Sequence, residues 1–164
     1  MSFSTVAVGG TDKTETYQTL NEQLPLLLGD ERDFVANAAN TAALIFHTLP
    51  DLNWAGFYFF NGEELVVGPF QGKPACVRIE IGRGVCGAAA ERRETLVVPD
   101  VHEFADHIAC DSASNSEIVV PLVKNEQLIG VLDLDSPSFN RFDDQDRIEL
   151  ERAAQTFLEL TEIK

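Results

Sequence analysis

Hydrophobic positions along the chain follow two different periods, and the change from one to the other divides it. From Tyr17 to Leu28, Leu20, Leu24, Leu27 and Leu28 recur at helical spacing, and Pro25 within them predicts a kink or two short pieces. A stronger helix is predicted over Asp33–Leu49, with Phe34, Ala38, Ile45 and Leu49 on one stripe and Pro50 as its stop. From Trp54 the aromatic run to Phe60 reads as a strand. Asn61-Gly62 is a hairpin turn signal, and Leu65–Phe70 forms the return strand. Ala75–Ile81 alternates, with Val77, Ile79 and Ile81 opposite Cys76, Arg78 and Glu80, which predicts a half-buried strand carrying Cys76 on its polar face. Gly82-Arg83-Gly84 breaks it. A short Ala-rich helix over Val85–Glu91 and a short strand over Thr95–Val98 follow.

An irregular stretch then runs from Val101 to Glu117, and loops of that length in a compact domain are usually functional or disordered. Ile118–Val123 and Leu128–Asp135 read as a hairpin around Lys124-Asn125-Glu126-Gln127. The last helix is expected from Asp143 to about Leu160, with Asp143 as N-cap and Ile148, Ala153, Phe157 and Leu160 facing inward. Hairpins dominate, so the sheet should be mostly antiparallel, with terminal helices packed on one face: an α+β fold. Polar, Gly-containing residues 1–16 are expected to form a flexible segment, and 17–164 a single domain.

Composition narrows the partners. The 164-residue chain is 45% hydrophobic, enough for a substantial core. Twelve basic against 27 acidic residues give a formal charge of −15, which disfavours nucleic acid and anionic membrane. No segment reaches the roughly 18 apolar residues of a membrane span. The N-terminus lacks a signal-peptide pattern, so a cytoplasmic location is expected. Three cysteines cannot all pair within one chain. In a reducing compartment they serve packing, metal ligation or redox cycling.

Cys110 is the first candidate for chemistry. It sits in a polar loop with Ser112, Ser114, Asn115 and Ser116 as possible hydrogen-bond donors, while Asp111 and Glu117 oppose a thiolate. Cys86 opens the Ala-rich helix. A helix N-terminus lowers a thiol pKa, but a small core residue beside Gly87 and Ala88 is the favoured description, because free cysteine is so often buried. A loop thiol with Cys76 or Cys86 as partner suits a cycle of attack, sulfenic acid and disulfide. Asp133 and Asp135 are two apart on a strand and share a face. Carboxyls gathered in one site can keep one of their number neutral at pH 7. Whether Glu117 joins them depends on register. A two-residue loop at Asn125-Glu126 pairs it with Leu134, on the other face. One additional loop residue or a bulge pairs it with Asp135. His102, His107, Cys110 and Asp111 fit no usual zinc spacing, so no metal is assigned. Trp54 and Tyr58 default to core packing, although Trp54 at a strand start can line a pocket.

These residues lie within longer matches. Asn53–Tyr58, Gly68–Gly72, Cys76, Gly82–Cys86, Val98–Val101, His107–Ser112, Ser116–Pro121 and Ile129–Ser136 together resemble the free methionine-(R)-sulfoxide reductases, a single-domain GAF family, over about residues 17–160. The resemblance implies a six-stranded antiparallel sheet with helices on one face and a ligand cavity on the other. It implies reduction of free methionine-R-sulfoxide by a homodimer, with no bound cofactor and an external dithiol of thioredoxin type as reductant. By position it makes Cys110 the nucleophile, Cys76 the resolving cysteine and Cys86 the third family cysteine. Trp54 becomes the wall for the substrate methyl group, and Glu117, Asp133 and Asp135 the acids around the sulfoxide and the ammonium. The rival readings are a non-catalytic GAF module that senses a small molecule, and a thiol redox sensor.

Overall fold

The structure is a computed structural model and describes residues 12–163. Helix α1 spans Lys13–Leu28 and begins on Asp12, whose side chain accepts a hydrogen bond from the Thr14 amide. The expected flexible segment 1–16 therefore needs correction: residues 13–16 are helical, and only 1–11 of it lie outside the described residues. Pro25 does not divide the helix. It sits in the last turn with Leu24 and Leu28 buried on either side, and Gly29 at φ 54° ends the helix with its N–H donating to the Pro25 carbonyl. Helix α2, Phe34–Thr48, is capped by Asp33 accepting from the Ala36 amide.

Six strands follow: β1 (Trp54–Phe60), β2 (Glu64–Gly72), β3 (Arg78–Glu80), β4 (Leu96–Val98), β5 (Ser116–Lys124) and β6 (Gln127–Ser136). Helix α3 (Gly84–Arg92) joins β3 to β4, and α4 (Asp144–Leu160) closes the chain. Every pairing is antiparallel, in the order β3-β2-β1-β6-β5-β4. The alternation along each strand then sorts side chains into two cores. Ala55, Phe57, Ile118, Val120, Leu132 and Leu134 pack against α1, α2 and α4. Trp54, Tyr58, Val119 and Val131 face the other way, against α3 and the Val98–Val101 segment.

Helix α4 has a capping box between Asp143 and Asp146. Asp146 is fully buried and accepts from the Tyr17 hydroxyl and Lys13 Nζ, both at 2.6 Å, and from Arg141 at 3.1 Å, which ties α1 to α4. The inner stripe is Leu150, Ala153, Ala154, Phe157 and Leu158. Ile148, expected inward, is 50% exposed, because the stripe is rotated toward Leu150 and Ala154.

The β5–β6 hairpin sets the register that matters for the site. Its loop is the two residues Asn125 and Glu126, both at positive φ, and Lys124 pairs with Gln127. A bulge follows at once: Val123 pairs with Leu128 but Leu122 with Gly130, so Ile129 is an additional residue on β6. Below the bulge Glu117 lies opposite Asp135, and Val119 opposite Asp133. Of the two registers open from sequence, the bulge selects the one that gathers the acids. Gly130 allows it, because a Cβ there would overlap the Tyr58 carbonyl oxygen of β1.

Gly130→Ala should therefore lower stability by about 1–3 kcal/mol, the usual cost of overpacking a closed interior. Urea unfolding monitored by tryptophan fluorescence measures it, and an unchanged midpoint would show that the β1–β6 approach is loose.

Candidate active site

The second core does not close completely. Between the open face of the sheet, the start of α3 and the loop carrying His107 to Ser114 lies a cavity. Trp54, at the start of β1, stacks on Phe70 and Tyr58 with ring centroids 5.1 and 5.8 Å away. The polar end of each wall residue is used as well. Trp54 Nε1 donates to the Lys73 carbonyl at 3.2 Å, and the Tyr58 hydroxyl donates to the Cys76 carbonyl at 3.0 Å. Both bonds hold the segment that carries Cys76.

That segment is not the strand expected from its alternation. β3 is only Arg78–Glu80, and Val77 is 59% exposed. β2 runs on to Gly72, and β3 pairs only with its first three residues, Glu64–Val66. Residues 73–77 thus form the return loop, and Cys76 leaves it toward the cavity mouth. There it is bonded to Cys110, the Cα atoms 5.5 Å apart. The polar-face argument for Cys76 fails, although the resemblance paired it correctly.

The Cys110 loop is held from two sides. Asn53 Nδ2 donates to Asp111 Oδ2 at 3.2 Å and to the buried Ser114 hydroxyl at 3.0 Å, while Lys73 Nζ approaches Asp111 to 3.9 Å. Asp111 also accepts from the Ala113 amide, and that bond holds its carboxyl below the ordinary value, helped by Asn53 and Lys73. Asn53 was not legible as a site residue. Its sequence signals are its place just before a strand that opens on tryptophan and at the head of the matched stretch Asn53–Tyr58, neither of which assigns it a role. His107 also lines the cavity, with Nε2 3.7 Å from Glu117 Oε2, too far for a hydrogen bond. Burial, and the charge of His102, push its pKa down, so His107 is neutral. His102 is exposed and pairs instead with Asp100 at 2.7 Å, so the four-residue metal grouping considered from sequence does not assemble.

On the cavity floor, three carboxyls converge. Asp135 lies across from both Glu117 and Trp54, and Asp133 across from Gly56. Glu117 and Asp133 are buried, and Asp133 Oδ1 has no hydrogen-bond partner. Burial drives all three acids up, and for Glu117 and Asp135 the charge of Asp133 adds to it; Asp133 is pushed up to about 7. The Ser114 hydroxyl moderates the rise at Asp135. At neutral pH the group therefore holds protons and presents neutral acids to the cavity. Cys86, third residue of α3, places its thiol 3.8 Å from Glu117 Oε1. The helix N-terminus does not lower its pKa. Complete burial and the neighbouring carboxyls push it well up, so Cys86 is a neutral thiol in the core. All seven residues singled out from sequence thus lie at one site: Cys110, Cys86, Trp54 and the three acids around the cavity, with Cys76 bonded at its mouth.

The raised carboxyls make stability depend on pH. Below about pH 4 they are protonated in both folded and unfolded chains. Above it the unfolded chain ionises first, while Asp133 keeps its proton until about 7. On this account wild-type stability falls as pH rises from about 4 to 7, and Asp133 adds no further loss beyond that. Asp133→Asn cannot ionise, so the difference in urea midpoint should move in the variant's favour across this window. A difference independent of pH would mean that Asp133 is ionised throughout.

Comparison with known proteins agrees with this geometry. The GAF domain family model matches residues 12–161. The free methionine-R-sulfoxide reductase of Escherichia coli (strain K12) is 56% identical over 135 residues, 82% of this chain and 82% of that protein. The Saccharomyces cerevisiae protein of the same name is 45% identical over 131 residues, 75% of this chain and 73% of its own. Among solved structures, the Neisseria meningitidis free methionine-R-sulfoxide reductase in complex with its substrate superposes with a TM-score of 0.91 at 42% identity, covering 96% of this chain and 95% of that one. With the disulfide at the cavity mouth and the buried acids beneath it, these likenesses establish that the chain belongs to the free methionine-R-sulfoxide reductases of the GAF-domain family.

Proposed function

We propose that the chain reduces free L-methionine-(R)-sulfoxide to L-methionine at this cavity, by thiol chemistry at Cys110. The observation that carries the reading is the Cys76–Cys110 disulfide above a floor of neutral carboxylic acids. The Cys110 thiolate attacks the sulfoxide sulfur. The S–O bond is made labile by protonation of its oxygen, and a neutral acid from the group of Glu117, Asp133 and Asp135 supplies that proton. The protonated oxygen then passes from the methionine sulfur to the Cys110 sulfur, the transient S–S bond breaks with its electron pair left on the methionine sulfur, and methionine departs, leaving Cys110 as sulfenic acid. Cys76 then attacks the Cys110 sulfur, water leaves, and the disulfide forms. The sum is sulfoxide plus two thiols giving methionine, one disulfide and one water. An external dithiol of thioredoxin type restores both thiols by exchange, and no bound cofactor is needed.

Specificity follows from the walls. Trp54 offers an aromatic face to the substrate methyl group. Whichever acid has given up its proton faces the ammonium. A free amino acid fits under the loop, whereas a residue within a peptide chain would have to pass main chain through both ends of the site. The family resemblance supports a homodimer. Among the described residues no helix is long and apolar enough to cross a membrane, and a cytoplasmic location belongs to the same proposal.

Reduced protein given each methionine sulfoxide isomer should yield methionine from the free R form alone, with the Cys76–Cys110 bond recovered by mass spectrometry. Cys110→Ser should abolish turnover, and turnover that survives it would refute the mechanism. Cys76→Ser should release one equivalent of methionine per chain and stall with a trappable sulfenic acid. Glu117→Gln should lower kcat by about 10²–10⁴, the usual worth of a general acid, with Cys110 still able to be alkylated. An unchanged kcat would move the proton donor to Asp133 or Asp135.

A further inference from the structure

Cys86 has no part in the disulfide at the cavity mouth, yet its sulfur is not simply a core atom. It meets Glu117 and Asp133 so that one ligand atom from each lies within 4.8 Å of the others. The Cys86 Sγ to Glu117 Oε1 distance is 3.8 Å. Tetrahedral zinc, with Zn–S near 2.3 Å and Zn–O near 2.0 Å, spaces sulfur and oxygen ligands about 3.5 Å apart, so this pair is nearly at ligand separation already. The three side chains come from α3, β5 and β6, elements fixed to one another by the sheet and the second core. Independently, Asp133 is 95% buried, lines the cavity and has no hydrogen-bond partner for Oδ1 outside its cluster with Glu117, Asp135 and Cys86. A buried carboxylate oxygen without a partner is costly unless something occupies its lone pairs.

We propose that Cys86, Glu117 and Asp133 form a binding site for a divalent thiophilic cation of the zinc class, on the floor of the cavity. Thiolate plus carboxylate is a borderline-soft donor set that suits Zn²⁺ and Cd²⁺ rather than Mg²⁺ or Ca²⁺. Three protein ligands leave a fourth position open to the cavity. His107 Nε2, 3.7 Å from the other Glu117 oxygen, stands near it, and water can fill it instead. On binding, the thiol and any protonated carboxyl release their protons to solvent. Three anionic ligands around a dication leave a local charge of −1, and no electrons move. The acidic chain, at −15, favours the approach of the cation. Occupancy would withdraw Glu117 and Asp133 from proton donation and from the substrate ammonium, so the cation acts as an inhibitor of sulfoxide reduction. Cys86 is then the soft ligand of a regulatory site.

The disulfide form isolates this site, because Cys86 is its only free thiol. Titrating that form with Cd²⁺ should raise a sulfur-to-cadmium charge-transfer band in the ultraviolet that saturates at one equivalent per chain. The band should vanish in Cys86→Ser, and Asp133→Asn should bind at least tenfold more weakly. No band in the wild type, a band that persists in Cys86→Ser, or unchanged affinity in Asp133→Asn would overturn the proposal. Zinc-edge X-ray absorption of zinc-loaded wild type needs no variant to fold. One sulfur with lighter neighbours is expected, and no sulfur neighbour refutes the site. Neither readout requires turnover, so the outcome is separate from whether the chain reduces the sulfoxide.

Discussion

The additional residue at Ile129 is the constraint from which the site follows. Strand side chains alternate with a period of two, so one inserted residue exchanges the faces of everything beyond it. Without the bulge, Glu117 would lie opposite Leu134 and enter the apolar core beneath α1, α2 and α4. With it, Glu117 crosses to the cavity side and meets Asp135, while Ile118, Val120, Leu132 and Leu134 fill the helix-side core. The bulge in turn needs Gly130, whose bare Cα lets β6 close onto the Tyr58 carbonyl of β1. One glycine between two strands thus decides where an acid five positions along in register can work.

Placing three carboxyls on one buried face is unfavourable for folding, and the rest of the molecule offsets that cost. The helix-side core is apolar and continuous, and Asp146, fully buried, is matched by Lys13, Arg141 and Tyr17. Among the described residues, the cavity acids have no comparable cation. The contrast between two buried acidic positions, one neutralised by ion pairs and the other left to hold its own protons, separates a structural carboxylate from a chemical one. It also explains why Cys86 is inert as a nucleophile while Cys110 is not buried: the same desolvation that keeps the acids protonated keeps a thiol protonated.

Much of the fold could be read from the chain. The period change at Trp54, the Asn61-Gly62 turn and the long stretch before Ser116 placed the hairpins and the loop correctly. What failed did so for physical reasons. The alternation around Cys76 was real in sequence, but a strand exists only where a partner strand runs beside it, and β2 supplies one only for Arg78–Glu80. Ile148 sat within a helical stripe, yet tertiary packing turned the inner face toward Leu150. Pro25 was tolerated because it falls in the last turn, where Leu24 and Leu28 anchor the helix and Gly29 ends it. The site residues were legible as types, whereas their convergence hung on a bulge that no local pattern announces. Asn53 was invisible because its work is done by two hydrogen bonds to a loop nearly sixty residues away.

Trp54 and Tyr58 each have two ends. Their rings wall the cavity, and their polar atoms grip the backbone at Lys73 and Cys76. The cavity wall and the thiol pairing therefore share mechanical parts. A side chain altered to admit a bulkier sulfoxide also releases the strand of backbone that presents the second thiol. Breadth of substrate and the ease of closing the disulfide are thus coupled traits in this scaffold, and selection acting on one pulls on the other.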